Sequence, residues 1–259
     1  MESSLINLYM YAYSPIISYD YLGLGVYVKG DPKQPSIQFG KEDYPYDATI
    51  EPGWRDILSY VKWVSIDVLA NLIPYNLRDT GEYILDAANI YDHYMGGSGR
   101  DYVVDYVSAY NSDSAIKSFV DNEVRTAQLQ SEQLWDRKDM NAFSITGTAQ
   151  PSTGYYPVTE NWQKTLGFHY IWGAGTVTPC VGGDANIMRL SITVRAIDRY
   201  DFNKDAYDIA SGYPDSINGR FAQLGWARAF MTHGRIDFDV EWRIGSVEQT
   251  SVVTITSNR

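Results

Sequence analysis

The 259 residues contain one cysteine, Cys180. A lone thiol excludes an internal disulfide framework and any cysteine-rich zinc module. With no neighbour to activate it, Cys180 reads as a small apolar residue. Histidine is almost as scarce. His93, His169 and His233 are the three present, and none falls in a His-x-x-x-His or His-Glu-x-x-His pattern, which disfavours a zinc protease. No Gly-x-Ser-x-Gly elbow is present. No apolar run approaches the ~20 residues that cross a bilayer. Basic charge is in deficit, with 21 Lys+Arg against 32 Asp+Glu and a net charge of −11. Binding to a nucleic-acid backbone needs clustered Lys and Arg, so DNA and RNA are excluded as main partners. Met1 to Tyr13 lack the basic stretch and clean apolar run of a signal peptide, so action outside the cytoplasm implies a non-classical export route.

A hydrophobic content of 44% is enough to build a core. Tyrosine is abundant, with 22 copies. Its flat apolar body and polar tip suit strands and half-wet surfaces that meet sugars or proteins. The acidity is uneven. Residues 1–139 hold 11 basic against 21 acidic side chains, a net of −10, and residues 140–259 hold 10 against 11, a net of −1.

The patterning predicts an α+β chain, an N-terminal helical lobe followed by an antiparallel β-sheet lobe with a short helix. Residues 1–50 read as an arm or linker, punctuated by Gly and Pro. Residues 51–139 read as the helical lobe. Ile57, Val61, Val64, Val68 and Leu72 recur at helical spacing until Pro74. Asp79 or Thr80 can cap a second helix carrying Ile84, Ala87, Ala88 and Tyr91, with Gly96 at its end. A third helix starts at Asp113 or Ser114 and turns Ile116, Phe119, Val120, Val124, Ala127 and Leu134 inward. Residues 140–259 read as a β-rich lobe, which the resemblance described below makes the catalytic lobe, with 51–259 as one catalytic unit. Leu166–Val177 reads as a strand bulged at Gly173-Ala174-Gly175. Met188, Leu190, Ile192, Val194 and Ala196 alternate with polar residues as in a half-buried strand. Phe238, Val240 and Trp242 mark another strand, and Val252–Ile255 a last one. A short helix with Ile217, Phe221, Leu224 and Ala227 is placed after an Asn218-Gly219 turn.

The densest polar cluster follows the best strand: Asp198-Arg199-Tyr200-Asp201-Phe202-Asn203-Lys204-Asp205. Carboxylates three residues apart at a strand end can converge. They then hold a hard cation through oxygen or divide into acid and base by mutual repulsion. Asp201-x-Asn203-x-Asp205 opens like a calcium loop, but Ala206 and Gly212 stand where Gly and Glu are required, so it is no EF-hand. A polar turn whose side chains bond their own backbone explains the same residues. A second cluster, His93-Tyr94-Met95-Gly96-Gly97-Ser98-Gly99-Arg100-Asp101, offers backbone N–H groups to an anion, or simply ends a helix in a tight turn.

Together these segments resemble the catalytic region of colicin M and related bacteriocins. Asp198-Arg199-Tyr200-Asp201-Phe202-Asn203 is similar to that family's Asp-x-Tyr-Asp motif with its Phe-Asn. His93 to Gly99 resembles its His-Tyr-x-x-Gly-x-Gly segment, and Ile217 to Phe230 its amphipathic Leu-Gly segment. The resemblance spans about 79–245. One departure is clear: the family's His-Arg pair beyond the second Asp has no counterpart in Lys204 to Tyr213. In this the chain resembles the calcium-dependent lipid II-degrading toxins of type VII secretion systems.

The resemblance implies hydrolysis of lipid II at the bond between undecaprenol and pyrophosphate, with Ca2+ or Mg2+ as cofactor. Implied catalytic residues are Asp198, Tyr200, Asp201 and Asn203, with Arg220 and His93 as candidates for the missing pair. Gly97, Gly99, Arg228 and His233 are implied in substrate binding, and Asp198, Asp201 and Asp205 in holding the metal. A toxin further implies a cognate immunity protein and action at the outer face of the target's cytoplasmic membrane. The near-neutral β lobe is then expected to face that membrane, since anionic lipid repels the acidic half. The alternative reading is a Ca2+-stabilised, tyrosine-rich carbohydrate- or protein-binding module without catalysis.

Overall fold

The computed structural model describes residues 25–71, 84–207, 212 and 214–256. Expectations placed on Leu72, Pro74, Asp79, Thr80 and Tyr213 lie outside the described residues. The strands are β1 (Tyr27–Lys29), β2 (Tyr102–Val103), β3 (Phe143–Gly147), β4 (Gln150–Pro151), β5 (Tyr170–Pro179), β6 (Ile187–Tyr200), β7 (Phe230–Arg243) and β8 (Ser251–Thr256). The helices are α1 (Trp54–Asn71), α2 (Leu85–Met95), α3 (Tyr106–Ser112), α4 (Ser114–Leu134), α5 (Glu160–Thr165) and α6 (Asp215–Gln223). The chain is therefore α+β.

The strands form one sheet in the order β1-β3-β5-β6-β7-β2, with β4 also on β5 and β8 also on β7. The β2–β7 pairing is parallel and the others are antiparallel. Its spine is the β6–β7 ladder, which runs from Ile187↔Arg243 to Tyr200↔Phe230. Strand geometry sends alternate side chains to opposite faces. Met188, Leu190, Ile192, Val194 and Ala196 from β6 and Ile236, Phe238, Val240 and Trp242 from β7 are accordingly all buried. They share one apolar cluster with Ile116, Phe119, Val120, Val124 and Ala127 of α4 and Ile90 and Tyr94 of α2. Asp113 caps α4 as expected, its Oδ1 accepting from the N–H groups of Ala115 and Ile116 at 3.0 and 3.1 Å. Its Oδ2 accepts from the N–H groups of Val158 and Thr159 and from the Thr159 hydroxyl, so the same buried carboxylate fixes the approach to α5.

Four local expectations are corrected. Ile57 and Val61 of α1 are exposed, and the helix instead turns Tyr60 onto Phe221 and Trp226 and Trp63 onto Tyr91. Leu166 and Gly167 belong to the end of α5, so β5 starts at Tyr170. The Asn218-Gly219 pair lies inside α6 instead of preceding it.

The fourth concerns Gly173. The β5–β6 register is continuous through Gly173-Ala174-Gly175, with no bulge. Gly173 is required by close approach: a Cβ there would collide with the Tyr27 hydroxyl and with Ile192 Cδ1. Gly173→Ala is expected to destabilise the protein by about 2–3 kcal/mol through this overpacking, read as a lower denaturant midpoint.

Candidate functional site

The sheet opens into a cleft at the end of β6 and the start of β5, with a volume of about 570 Å3. Residue alternation accounts for its floor. Asp198 and Tyr200 continue the inward row of β6 past Ala196, where the apolar core stops. The strand runs through Tyr200, so the first half of the polar cluster is strand and not turn. Asp201, Phe202 and Asn203 then leave the sheet along the same cleft. Tyr200 is held as a fixed ring, stacked on Phe230 at 5.2 Å and edge-on to Tyr94 at 5.9 Å.

The walls come from distant parts of the chain. Ala87, Ala88 and Tyr91 of α2, Trp63 of α1, Lys164 of α5, Phe168 and Tyr170 at the start of β5, and Asn218 of α6 all line the cleft. The Tyr91 hydroxyl donates to Asn218 Oδ1 and the Tyr94 hydroxyl to the Asn218 carbonyl, both at 3.0 Å, which ties α2 to α6. Gln38, Phe39 and Gly40 of the N-terminal arm also line it. The arm is strapped down at several points. Arg199 Nη1 donates to the Gly40 carbonyl at 2.5 Å, and the Lys204 N–H donates to Asp43 at 2.7 Å. The Tyr44 ring lies where a Cβ on Gly219 would sit.

The electrostatics are those of buried acids. Burial pushes the Asp198 carboxyl well above the usual range, and Asp201 adds to the effect, opposed by the Arg199 N–H and guanidinium. Asp201 is raised too, first by burial, against the lowering influence of Arg199 and with help from Glu42 and Asp43. Arg199 pairs with Asp201 at 2.5 Å, with both side chains largely buried.

The sequence-predicted residues divide into two sets. Asp198, Tyr200, Asp201 and Asn203 line the cleft; His93, Gly97, Gly99, Arg220, Arg228 and His233 do not. Arg220 pairs with Asp56 at 3.3 Å. His93 lies edge-on to Phe230 at 4.6 Å, and its Nε2 is 2.7 Å from the Arg100 carbonyl oxygen, a contact in which the ring nitrogen donates. Tyr200 also stacks on Phe230, so that phenyl ring lies against both His93 and the cleft tyrosine. His233 contacts Asp101 at 3.0 Å. Gly97 and Gly99 take left-handed turns, and Gly99 leaves room for the Arg228 side chain, which also lies over Tyr46. The glycine-rich segment is thus a turn packed on Arg228.

Among the described residues no group of three or more His, Cys, Asp or Glu side chains is placed to hold an ion. Asp205 is exposed, in a left-handed turn with φ of 65°, and does not join Asp198 and Asp201. Asp198 and Asp201 line the same cleft, and a cation held by them would have to complete its shell with water or substrate oxygens.

Sequence reasoning missed Phe39, Trp63, Lys164 and Phe168. Each lies in a segment whose local pattern signals only an arm, a helix or a strand, and each reaches the cleft through long-range packing.

No family model matches the chain, and no curated protein matches it. The solved structure of PaeM, a colicin M-like bacteriocin produced by Pseudomonas aeruginosa, is similar over 63% of this chain at 15% identity and a TM-score of 0.42. The chain matches 53% of that structure's length, about half of it.

Proposed function

We propose that the protein is an antibacterial toxin that hydrolyses lipid II at the phosphoester between undecaprenol and pyrophosphate. The observation that carries this reading is the placement of Asp198, Tyr200, Asp201 and Asn203 of the Asp-x-Tyr-Asp motif together in one aromatic-walled cleft. Water adds across the bond: the polyprenol leaves with a proton, and the pyrophosphate headgroup keeps the added hydroxyl oxygen. Burial raises the Asp198 carboxyl, which favours its protonated form over a bare carboxylate in the cleft. Tyr200 directs its hydroxyl from a ring packed on Phe230 and Tyr94. Asn203 offers an amide to substrate or cation. A divalent cation bound by Asp198 and Asp201 would offset phosphate charge, and its binding would release the Asp198 proton.

The test is incubation with purified lipid II, with EDTA and then with Mg2+ or Ca2+ restored. Release of undecaprenol that EDTA stops and the cation restores supports the reading; no product under any condition overturns it. It would also favour the binding module, for which the aromatic walls are suited.

The substrate's place in a membrane makes the cleft mouth the face that meets lipid. Tyr156, Phe168 and Tyr207 line the cleft and are exposed, forming an aromatic rim suited to the headgroup boundary. All three belong to residues 140–259, the near-neutral half. Phe168→Ser combined with Tyr207→Ser is expected to weaken binding to phosphatidylcholine–phosphatidylglycerol vesicles by about tenfold or more, from the loss of two inserted rings. A footprint confined to the exposed Trp54, Ile57, Leu58 and Val61 of α1 would count against this orientation. The immunity partner belongs to the same proposal, with a basic patch facing the acidic half.

A further inference from the structure

We propose that a second cavity, between the N-terminal arm and the outer face of the sheet, binds a phosphate group through Arg195, Lys33 and Gln34. The cavity measures about 160 Å3 and shares no lining residue with the cleft at the end of β6. Pro32, Lys33 and Gln34 of the arm form one wall, and Trp172, Ala174 and Arg195 of β5 and β6 form the other.

The outer face of β6 and β7 is a row of matched cross-strand pairs with one exception. Arg189 Nε donates to Glu241 Oε1 at 2.6 Å, Ser191 donates to Asp239, and Thr193 donates to Asp237 at 2.5 Å. The register then sets Arg195 directly opposite Arg235. Like charges so placed repel. Arg235 escapes by turning along its own strand to Asp237 Oδ2 at 2.6 Å, while Thr193 occupies Oδ1 of the same carboxylate. Arg195 is left half-buried, with no hydrogen bond or ion pair among the described residues. Burial, and then Arg235, pull its guanidinium below the usual value, with Asp237 opposing. A bound oxyanion would offset the repulsion and replace the lost hydration.

The arm brings further donors to the same place. Lys33 and Gln34 are exposed and likewise make no hydrogen bond or ion pair among the described residues. Trp172, 3% exposed and paired with Arg195 across β5 and β6, adds an indole N–H that also lacks a partner among the described residues. A carboxylate has two coplanar oxygens, which one guanidinium fork satisfies. Donors arriving from two walls suit the tetrahedral oxygens of a phosphate, with the Arg195 fork on two of them and the Lys33 ammonium on a third. Such a ligand would staple the arm just upstream of Gln38, Phe39 and Gly40, which line the catalytic cleft.

The probe is inorganic phosphate, titrated calorimetrically into the full chain in EDTA at constant ionic strength. Arg195→Met, which keeps an apolar stem and removes the charge, is expected to weaken binding by about tenfold or more. Lys33→Gln, a substitution on the exposed arm that leaves the core untouched, is expected to weaken it by about threefold to fivefold. Acetate is expected not to compete at equal concentration. No saturable binding by the unmodified protein, or unchanged affinity in either variant, overturns the site. Acetate binding as tight as phosphate overturns its chemistry. Binding that Asp198→Asn alters and Arg195→Met does not would put the anion in the catalytic cleft and overturn the assignment as well. Vesicles of phosphatidylcholine and phosphatidylglycerol separate the two sources of a phosphate group, and either result upholds the site. Arg195-dependent adsorption that free phosphate competes away identifies a lipid headgroup, and phosphate binding without such adsorption identifies a soluble phosphate.

Discussion

Alanine at Asp198 should lower undecaprenol release from lipid II by about a thousandfold or more, the scale on which loss of a proton donor or charge-stabilising group is felt. Asparagine at the same position should lose activity to a similar degree and yet yield a more stable protein at neutral pH. Asp198 sits on the inward row of β6, where burial raises its carboxyl well above the ordinary value. The sign follows from linkage. An acid whose folded pKa is raised binds its proton more tightly when folded, so its contribution to stability falls as pH climbs from about 4, the unfolded value, through the folded value. Wild type and Asp198→Asn should therefore melt together near pH 4. The variant should gain as the pH rises toward neutrality. A wild type that is the more stable of the two at pH 7.5 would make Asp198 a structural residue. Asp201 offers no such clean test, because its removal leaves the largely buried Arg199 without its carboxylate.

The second large effect lies away from the cleft. Glu123 of α4 is fully covered by protein, and burial pushes its carboxyl up to about 7, against hydrogen bonds from Tyr27 and Gly173 that lower it. The Tyr27 hydroxyl donates to Glu123 Oε1 at 2.5 Å and the Gly173 N–H donates to the same oxygen at 2.9 Å. Gln130 completes the dock of β1 by accepting from the Tyr27 N–H at 2.7 Å and donating to the Gly25 carbonyl at 2.5 Å. A glutamine at 123 keeps an oxygen to accept both bonds and carries no charge. Above pH 7 the wild type bears an ionised, buried carboxylate, and Glu123→Gln should be more stable by about 3 kcal/mol at pH 8. At pH 4, below the unfolded value, the difference should vanish. Denaturant titrations at the two pH values measure it. Equal stabilities at both would mean that β1 does not cover this carboxyl.

The sequence made the long-period features legible. Alternation on Met188–Ala196 located the central strand, and the helical stripe from Ile116 to Leu134 located α4 with its Asp113 cap. The motif from Asp198 to Asn203 stood out by charge density and does line the cleft. What was hidden has physical reasons. The alternation of β6 does not end at Ala196; it continues through Asp198 and Tyr200, whose polarity masked their strand geometry. Among the described side chains of α1 several apolar residues face outward while Tyr60 and Trp63 make the ring contacts, a reversal that periodicity cannot reveal because both faces are apolar. Gly173 and Gly219 looked like bulge and turn, whereas each makes room for a tyrosine from the arm side of the molecule. Lys164 had no local signature at all, since its place depends on α5 being bolted to α2.

The arm's straps carry a consequence for how the molecule comes into being. Phe39, Trp63, Lys164, Asp198 and Asn218 meet in one cleft although almost 180 positions separate the first from the last. Closing such loops belongs to the slow, late part of folding. A chain threaded in either direction through a narrow conduit carries no assembled site until nearly all of it has emerged. The residues of the cleft are scattered along the sequence, and the cleft exists only once the whole chain has collapsed.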